Sequence, residues 1–255
     1  MKDIYPEVRR QEVVQQVNRN GKVTVAELSQ QFGVSEVTIR NDLQSLAEQD
    51  LIIRTHGGAI PAGLLPELSL KLRRQQNVAE KDRIGAHAAS FVSDGESIFL
   101  DSSSTVLALV RHLKRRQDLT IITNSLAVAQ TAGEMSHIAV VLVGGVYKRD
   151  TVSVVGLDGV EMLRKLNIQK GFFSAHGLNY PEGLTDVSSS EAEVKNQVMK
   201  MCREVIAVLD ATKWGRVGLA SFARMEDIHA IITDQFPPAG LSERAAALGI
   251  KINTV

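Results

Sequence analysis

The spacing of apolar residues changes near residue 60, and this change divides the sequence into two parts. In the first part Leu28 and Phe32 lie four residues apart. Ile39, Leu43 and Leu46 then recur at i, i+4 and i+7, which is the period of an amphipathic helix. In the second part short continuous apolar runs alternate with amphipathic stretches. The pattern predicts a small mostly-α domain, followed by an α/β domain whose mostly parallel sheet is covered on both faces.

Two helices joined by a tight turn are predicted in the first part. Thr24 and Glu27 have the spacing of a capping box, in which the Thr hydroxyl accepts from a helix amide and the Glu side chain reaches back. Gly33 can end this helix in a left-handed conformation, and Ser35 can cap a second helix over residues 36–49. The order of signals is that of a helix-turn-helix.

The outer face of the second helix carries hydrogen-bonding side chains. The major groove of DNA admits one helix, and Arg, Asn and Gln are the side chains that pair with guanine or adenine edges. Residues 51–53 are predicted as a strand, and the turn at residues 54–58 would send a second strand back, which makes a wing. The side chains of the outer arc are Thr38, Arg40, Asn41, Gln44 and Ser45.

An all-α core is the alternative, because a short helix pair with a glycine turn also occurs there. Charge does not favour DNA binding, since residues 1–60 hold seven Lys and Arg against eight Asp and Glu. DNA binding would require the few cations of this part to lie on one face. These are Arg9, Arg10, Arg40, Arg54 and His56.

Residues 34–43, with Leu51 and residues 54–59, resemble the amino-terminal signature of DeoR-family bacterial regulators. That signature runs V-S-x-x-T-I-R-R-D-L and then L-x-R-x-H-G-G-A, and Asn41 stands where it has a second arginine. The resemblance implies base reading by Thr38, Arg40, Asn41 and Gln44, and backbone contacts by Ser35, Arg54 and His56. The candidate DNA-binding residues are therefore Ser35, Glu36, Thr38, Arg40, Asn41, Gln44, Arg54 and His56.

Two prolines and a glycine within residues 61–66 mark a domain boundary. We expect a winged helix-turn-helix domain at residues 1–60, a linker at residues 61–78 and an α/β effector-binding domain at residues 79–255. In the last, strands are predicted at residues 97–100, 119–122, 138–143, 170–174, 205–209, 230–232 and 251–252. Helices separate them, including one over residues 190–202.

Polar or glycine-rich loops follow three consecutive predicted strands. Ligands bind beyond the carboxyl ends of parallel strands, and hydroxyls and free amides at a helix amino end suit an anion, above all phosphate. Plain helix caps are the alternative for each loop taken alone. The residues are Asp101, Ser102, Ser103, Ser104 and Thr105 after the first strand, Thr123, Asn124 and Ser125 after the second, and Gly144 and Gly145 after the third.

Further candidates lie in the last hundred residues. Asp210 and Lys213 follow another predicted strand, which places an acid and an amine at the same edge. Lys195 shares a predicted helix with Glu191 at i,i+4 spacing. A role at the ligand and an ordinary surface salt bridge between these two are both compatible with that spacing.

This half also resembles the DeoR family. Residues 100–105 resemble its L-D-S-G-T-T loop, residues 123–125 its T-N-S, and residues 210–215 its D-S-S-K-F-G. The resemblance implies a domain similar to ribose-5-phosphate isomerase but without its chemistry, which binds a phosphorylated sugar or related metabolite. Ser103 and Ser174 stand where the family pattern has glycine.

Composition agrees with a folded protein of one large or two ordinary domains. The chain has 255 residues, 44% of them hydrophobic, and a formal net charge of zero. Its single cysteine, Cys202, is predicted to fill an apolar helix face and fits a reducing compartment. No signal-peptide pattern starts the chain, and the apolar run at residues 138–143 is too short for a bilayer. We expect a cytoplasmic protein with no membrane partner, cofactor or metal.

The resemblance implies a DNA-binding transcriptional regulator, most simply a repressor of a carbohydrate-utilisation operon. Its partners would be a double-stranded DNA operator and a phosphorylated sugar or related metabolite as effector. Operator symmetry favours a homodimer or homotetramer. The alternative is a sugar-phosphate isomerase with an appended nucleic-acid-binding module. Such an enzyme needs a base and an electrophile, for which Asp101, Glu191, Asp210 and Lys213 are available.

Overall fold

The chain forms two compact units, an amino-terminal unit of residues 1–66 and a carboxy-terminal unit of residues 67–255. The computed structural model describes residues 6–20, 22–48, 51–55, 57–61 and 69–255. The predicted order of a winged helix-turn-helix before an α/β fold with a parallel sheet is confirmed.

The amino-terminal unit consists of helices and a small antiparallel sheet. Its elements are α1 (Pro6–Asn20), β1 (Val23–Thr24), α2 (Val25–Phe32), α3 (Glu36–Glu48), β2 (Ile52–Thr55) and β3 (Gly58–Pro61). Strand β3 pairs with β2 to form the wing, and it also pairs with β1. The segment before α2, predicted only as an extended link, is therefore a third strand of the wing sheet.

The predicted capping signals form the turn between α2 and α3. The Glu27 amide donates to Thr24 Oγ1 at 3.2 Å, and the Thr24 amide donates to Glu27 Oε2 at 2.9 Å. Gly33 ends α2 with a φ of 65°, in the left-handed region that glycine adopts without strain. The Thr38 amide donates to Ser35 Oγ at 3.1 Å, which caps α3. The helices bury a common apolar core that includes Val13, Val17, Leu28, Ile39, Leu43, Leu46 and Ile52.

A parallel sheet forms the centre of the carboxy-terminal unit. The strands of this unit are β4 (Ser97–Leu100), β5 (Thr120–Thr123), β6 (Ala139–Leu142), β7 (Val146–Lys148), β8 (Ser153–Val155), β9 (Ile168–Phe173), β10 (Gly177–Asn179), β11 (Gly183–Asp186), β12 (Cys202–Leu209), β13 (Ala220–Ala223), β14 (Ala230–Thr233) and β15 (Lys251–Thr254). The parallel sheet has the order β15-β14-β12-β9-β4-β5-β6. Because β4 has β9 on one side and β5 on the other, the strand order reverses there, and a crevice is expected at that point.

The remaining strands form two small antiparallel sheets that the sequence pattern did not predict. One pairs β7 with β8, and the other has the order β10-β11-β13. Each of these strands is only three or four residues long. Their pairing depends on neighbours elsewhere in the chain, so periodicity alone carried no signal for them.

Helices cover both faces of the parallel sheet. They are α4 (Leu70–Arg73), α5 (Val78–Ser90), α6 (Ser104–Val110), α7 (Leu126–Gly133), α8 (Leu157–Glu161), α9 (Ser189–Met199) and α10 (Ala239–Ala247). On one face Phe99 and Phe173 stack, with ring centroids 5.4 Å apart, within a cluster that includes residues of α8, α9 and α10. Phe172 points to the opposite face and joins residues of α5, α6 and α7. No helix in the described ranges has the length and apolarity needed to cross a membrane.

The prediction that Cys202 lies on a helix is wrong. Helix α9 ends at Met199, and Cys202 is the first residue of β12. Burial raises the pKa of its thiol to about 12, so the thiol is protonated and unreactive at neutral pH.

Candidate functional site

The outward face of α3 is accessible and mostly polar, but it also carries the exposed apolar residue Val37, which the prediction of an entirely polar face did not include. Arg40, Asn41 and Gln44 are exposed, while Ile39 and Leu43 on the opposite side are fully buried. Ser35 and Thr38 both belong to the cap of α3. Their hydroxyl oxygens lie 2.8 Å apart, and the Thr38 amide donates to Ser35 as described above. His56 lies outside the described residues.

The charged side chains of this face make weak surface contacts with one another. Arg40 Nη2 donates to Glu36 Oε2 at 2.6 Å, one helical turn away. Arg54, on wing strand β2, donates to Gln44 Oε1, and Gln44 Nε2 donates to Glu48 Oε1 at 2.8 Å. Exposed pairs of this kind contribute about 0–1 kcal/mol. These side chains are therefore positioned together, and rearranging them toward a ligand costs little.

Arg9 and Arg10 are committed to the fold of the amino-terminal unit. Their Nε atoms donate to the two carboxylate oxygens of Asp42, at 2.6 Å and 2.8 Å. Asp42 lies on the buried side of α3 and is 2% exposed. The two arginines thus join α1 to α3, whereas Arg40 and Arg54 are exposed beside the wing.

In the carboxy-terminal unit, buried Asp101 connects the ends of the two strands that flank the crevice. Its Oδ1 accepts the Ser103 amide, and its Oδ2 accepts the amide of Ser174, the residue after β9, both at 2.8 Å. Lys195 Nζ lies 3.2 Å from the same Oδ2. Protein groups thus occupy both oxygens of Asp101.

Lys195 is buried and paired with carboxylates other than Glu191, so the surface salt bridge that was the alternative to a role at the ligand does not apply. Its Nζ lies 2.8 Å from Asp186 Oδ2 and also donates to the Ser174 carbonyl at 2.8 Å. Burial by itself would lower the pKa of Lys195, but the charges of Asp186 and Asp101 outweigh burial and raise it. The lysine therefore stays charged.

Glu191 belongs to a separate buried network. It is 1% exposed and accepts from Ser102 Oγ at 3.0 Å and from Ser153 Oγ. Ser153 in turn shares a hydrogen bond with Thr151. Ser102 is therefore tied to α9 through Glu191, which the sequence did not indicate.

The loops after β5 and β6 serve mainly the fold. Thr123 Oγ1 donates to the Leu100 carbonyl at 2.6 Å, and Asn124 Nδ2 donates to the Val154 carbonyl at 3.0 Å. Ser125 caps α7 by accepting the Val128 amide at 3.2 Å, as Ser103 caps α6 by accepting the Val106 amide at 3.1 Å. For Ser103 and Ser125 the structure has the plain helix caps that were the alternative.

Close packing of backbone around the third loop depends on Gly145 and on Gly159, which lies opposite Gly144. A Cβ on Gly159 of α8 would lie 1.9 Å from the Gly144 carbonyl oxygen. Gly145 has a φ of 141°, and a Cβ there would lie 2.4 Å from the Val155 carbonyl oxygen. The close approach of β8 therefore explains the glycine at 145, whereas a Cβ on Gly144 would meet nothing within 4 Å.

A cavity of about 830 Å³ lies among α4, α5, α6 and α7. Ser104, from the loop of residues 101–105 (the serine loop), lines it, and Leu107, Ala127 and Val152 contribute apolar surface. The charged residues in its wall are mostly basic: Lys71, Arg74, Lys81, Asp82 and Arg111. The cavity thus combines a hydroxyl, apolar surface and an excess of positive charge.

Lys81 connects this cavity to a cluster of cations around Asp210, the residue after β12. Burial is the main cause that lowers the pKa of Lys81 to about 8; Lys213 and Arg73 add to this effect and Asp210 opposes it. The pKa of Lys213 is also lowered, mainly by burial, with Arg216 and Arg73 contributing. Cations that lower each other's pKa form a site suited to an anion.

Several buried polar atoms in this cluster have no hydrogen-bond partner among the described residues. They are Arg73 Nε and Nη2 and Asp210 Oδ2, and Trp214 Nε1, adjacent to Lys213 in the sequence, is another such atom. Such atoms are costly unless a ligand or water satisfies them. They supply both donors and an acceptor, which matches a ligand that carries an anionic group and hydroxyls.

Sequence reasoning did not select Lys81 or Trp214 for this site. A signal was present for Lys81, because it falls on the apolar stripe of α5, three residues before buried Ile84 and seven before buried Ala88. A lysine on the buried face of a helix needs partners, and Lys81 Nζ donates to the Arg73 carbonyl at 2.7 Å and to the Gln76 carbonyl at 2.8 Å. Arg73 lies in a basic segment whose pattern is compatible both with contacts to phosphates and with a solvated helix face.

Two family models together match most of the chain. Residues 9–62 match the DeoR-like helix-turn-helix domain. Residues 76–235 match the DeoR C terminal sensor domain.

Similar proteins of known name are regulators. The HTH-type transcriptional regulator GolR of Listeria innocua is 34% identical over 253 residues, which cover 95% of this chain and 100% of that protein. The glycerol-3-phosphate regulon repressor of Escherichia coli is 29% identical over 239 residues, covering 92% and 93%. A ribose 5-phosphate isomerase A structure from Methanocaldococcus jannaschii is 18% identical, with a TM-score of 0.42 over 54% of this chain and 55% of that one. At this TM-score the likeness carries no argument about chemistry.

Proposed function

Because this chain belongs to the DeoR family of transcriptional regulators, we propose that it represses a carbohydrate-utilisation operon and that a phosphorylated sugar or related metabolite controls its operator affinity. The relatives support this proposal, since one is the repressor of a glycerol-3-phosphate regulon. The observation that carries it is the exposed polar face of α3, with Arg40, Asn41 and Gln44 beside wing residue Arg54.

On DNA, α3 enters the major groove with Arg40, Asn41 and Gln44 toward the base edges. Ser35 and Arg54, with Glu36 positioning Arg40, align the helix on the phosphate backbone. Two or more copies of the chain, as a homodimer or homotetramer, would place their helices on half-sites one helical turn or a multiple of it apart. Such a regulator works beside the chromosome, in the cytoplasm.

The replacement Arg40→Ala tests base reading. If Arg40 pairs with a base, operator affinity should fall by about 1–3 kcal/mol and base preference at one position should relax. Fluorescence anisotropy on an operator selected from random duplexes, and on its single-base variants, measures both. The matched control is Arg164→Ala in the carboxy-terminal unit, because Arg164 is also exposed and also pairs with a nearby glutamate, Glu161. Weaker binding with unchanged base preference would assign Arg40 to the phosphate backbone.

The effector occupies the cavity where it meets the serine loop and the cations around Asp210. Its anionic group lies near Ser104, Thr105 and Lys81, and Lys213, Asp210 and Trp214 receive the rest of the molecule. The other predicted effector residues, including Asp101 and Lys195, hold these loops in place from within the fold. Binding releases DNA if the metabolite prefers the conformation that binds DNA poorly, and a coupling of about 1–3 kcal/mol changes operator affinity roughly 5- to 150-fold.

The replacement Lys81→Met tests this site. A thermal-shift screen of phosphorylated sugars first identifies an effector, since ligand at 100 times its dissociation constant adds about 2.7 kcal/mol to stability. Loss of a hydrogen bond to a charged group should then weaken effector binding by about 10- to 100-fold in isothermal titration. Lys165→Met, at an exposed lysine, is the control and should bind the effector normally. If no phosphorylated sugar raised the melting temperature, the result would count against a phosphorylated effector.

The pKa of Lys81 adds a pH signature to that test. An anion binds the protonated lysine and raises its pKa, so affinity should be steady from pH 7 to about 8 and fall at higher pH. Titrations between pH 7 and 9.5 should show this decline in the wild type and a flat profile in Lys81→Met. The same pH profile in both proteins would show that Lys81 is not the group whose titration controls effector binding.

The isomerase alternative is not supported, because both family models and the named relatives are those of regulators. Two of the three carboxylates available for such chemistry, Asp101 and Glu191, also have other partners. Asp101 is occupied by Ser174 and Lys195, and Glu191 by Ser102 and Ser153.

A further inference from the structure

An apolar residue lies at the centre of the polar face of α3. Val37 is 63% exposed, more than Val8 and Leu51, the other large apolar side chains exposed in the described part of the amino-terminal unit. Residues 37, 40, 41 and 44 follow the spacing i, i+3, i+4 and i+7, so Val37 lies on the same face as Arg40, Asn41 and Gln44. The buried residues Ile39 and Leu43 point the other way.

The fold does not account for this valine. An exposed β-branched residue stabilises a helix less than Ala, Lys or Glu would, and Val37 does not belong to the apolar core of the unit. It lies in the first turn of α3, and the amino-terminal residues of a recognition helix are those that contact base edges. In the major groove the apolar group that distinguishes one base from the others is the 5-methyl group of thymine.

We propose that Val37 reads the 5-methyl group of a thymine in each operator half-site, flanked by the hydrogen bonds of Arg40 and Asn41. The inference rests on the proposed function, since it requires α3 to enter the major groove. It adds an apolar determinant of sequence specificity to the polar side chains of α3. Contact between the valine and the methyl group removes apolar surface of both from water, and Arg40 and Asn41 hold the helix at the depth where this contact forms.

Replacement of thymine by deoxyuridine tests the contact, because it removes only the methyl group. An operator is selected from random duplexes with the full-length protein, and each thymine is then replaced singly. At one position per half-site the wild type should lose about fourfold in affinity, the value expected for burying one methyl group. Val37→Ala should bind the thymine operator about fourfold more weakly and show no further loss with deoxyuridine at that position. Val8→Ala, an exposed valine on α1, should keep the wild-type deoxyuridine profile.

The outcomes distinguish failure of the proposed DNA-binding function from failure of the thymine contact alone. Failure to select any operator would overturn the proposed function and this inference with it. Tight, sequence-specific binding with the same deoxyuridine profile in wild type and Val37→Ala would overturn only the thymine contact. Because alanine favours helix, a loss caused by unfolding of α3 is not expected, and circular dichroism of the variant verifies this.

Discussion

Replacing Lys195 with methionine is expected to lower the free energy of unfolding of the carboxy-terminal unit by about 3–5 kcal/mol. The replacement leaves Asp101 and Asp186 as buried negative charges without their cation, beside amides that satisfy them only in part. Urea unfolding followed by fluorescence reports on this unit alone, because Trp214 is the single tryptophan of the chain. Lys200→Met, at the exposed residue just after α9, is the matched control and should change stability by less than about 0.5 kcal/mol.

The expected loss of stability in Lys195→Met arises from charge and not from packing, and its dependence on pH distinguishes these two causes. Burial would raise the pKa of Asp186, but the charge of Lys195 lowers it below its ordinary value. A lowered pKa stabilises the fold at pH values above about 3.9, and that stability is lost as pH falls through the folded-state pKa. The gap between wild type and Lys195→Met should therefore narrow in acid. Combining Lys195→Met with Asp186→Asn should also cost less than Lys195→Met alone, and a larger loss in the double variant would contradict the charge explanation.

Replacing Asp42 with asparagine should have a comparable effect on the amino-terminal unit. Arg9 is nearly buried, with a side chain only 8% exposed, and both Arg9 and Arg10 would lose the ion pair with Asp42. Removing one partner of a buried ion pair costs about 3–5 kcal/mol, which is a large part of the stability of so small a unit. Hydrogen exchange of the α1 and α3 amides should accelerate, DNA binding should fall with it, and Trp214 fluorescence should stay unchanged.

Two further variants test that explanation. Glu12→Gln removes an exposed negative charge from α1 and should leave exchange and DNA binding unchanged. The double variant Arg9→Met with Asp42→Leu replaces the buried pair by apolar groups and should recover part of the lost stability. If the α1 and α3 amides exchanged as slowly in Asp42→Asn as in the wild type, the explanation that these ion pairs join the two helices would be contradicted.

Local signals made the amino-terminal unit largely predictable. The capping box at Thr24 and Glu27, the left-handed Gly33 and the cap at Ser35 each act within three residues, so spacing along the chain specifies them. The same is true of the helical stripe that buries Ile39 and Leu43. Pairing of β1 with β3 was not predictable in this way, because its partners lie more than thirty residues apart.

In the loops of the carboxy-terminal unit, the sequence predicted position but not the partners of the side chains. Their order along one sheet edge was predicted, and β4, β5 and β6 are neighbours in the structure. Which side chains remain available was not predictable: Ser103 and Ser125 cap helices, and Ser102 bonds Glu191. A hydroxyl or carboxylate has the same appearance in the sequence whether a ligand or the protein satisfies it.

By itself the sequence determined the family, the two-part architecture, the helix-turn-helix and the polar face of α3, because periodicity and capping act over a few residues. Only the tertiary structure decided which charges are paired. It placed Asp42 against Arg9 and Arg10, Lys195 against Asp101 and Asp186, and it left an excess of cations around Asp210. The physical reason is that the partner of a buried charge is chosen by distance in space and by the loss of water around it, neither of which is encoded in the spacing of residues along the chain.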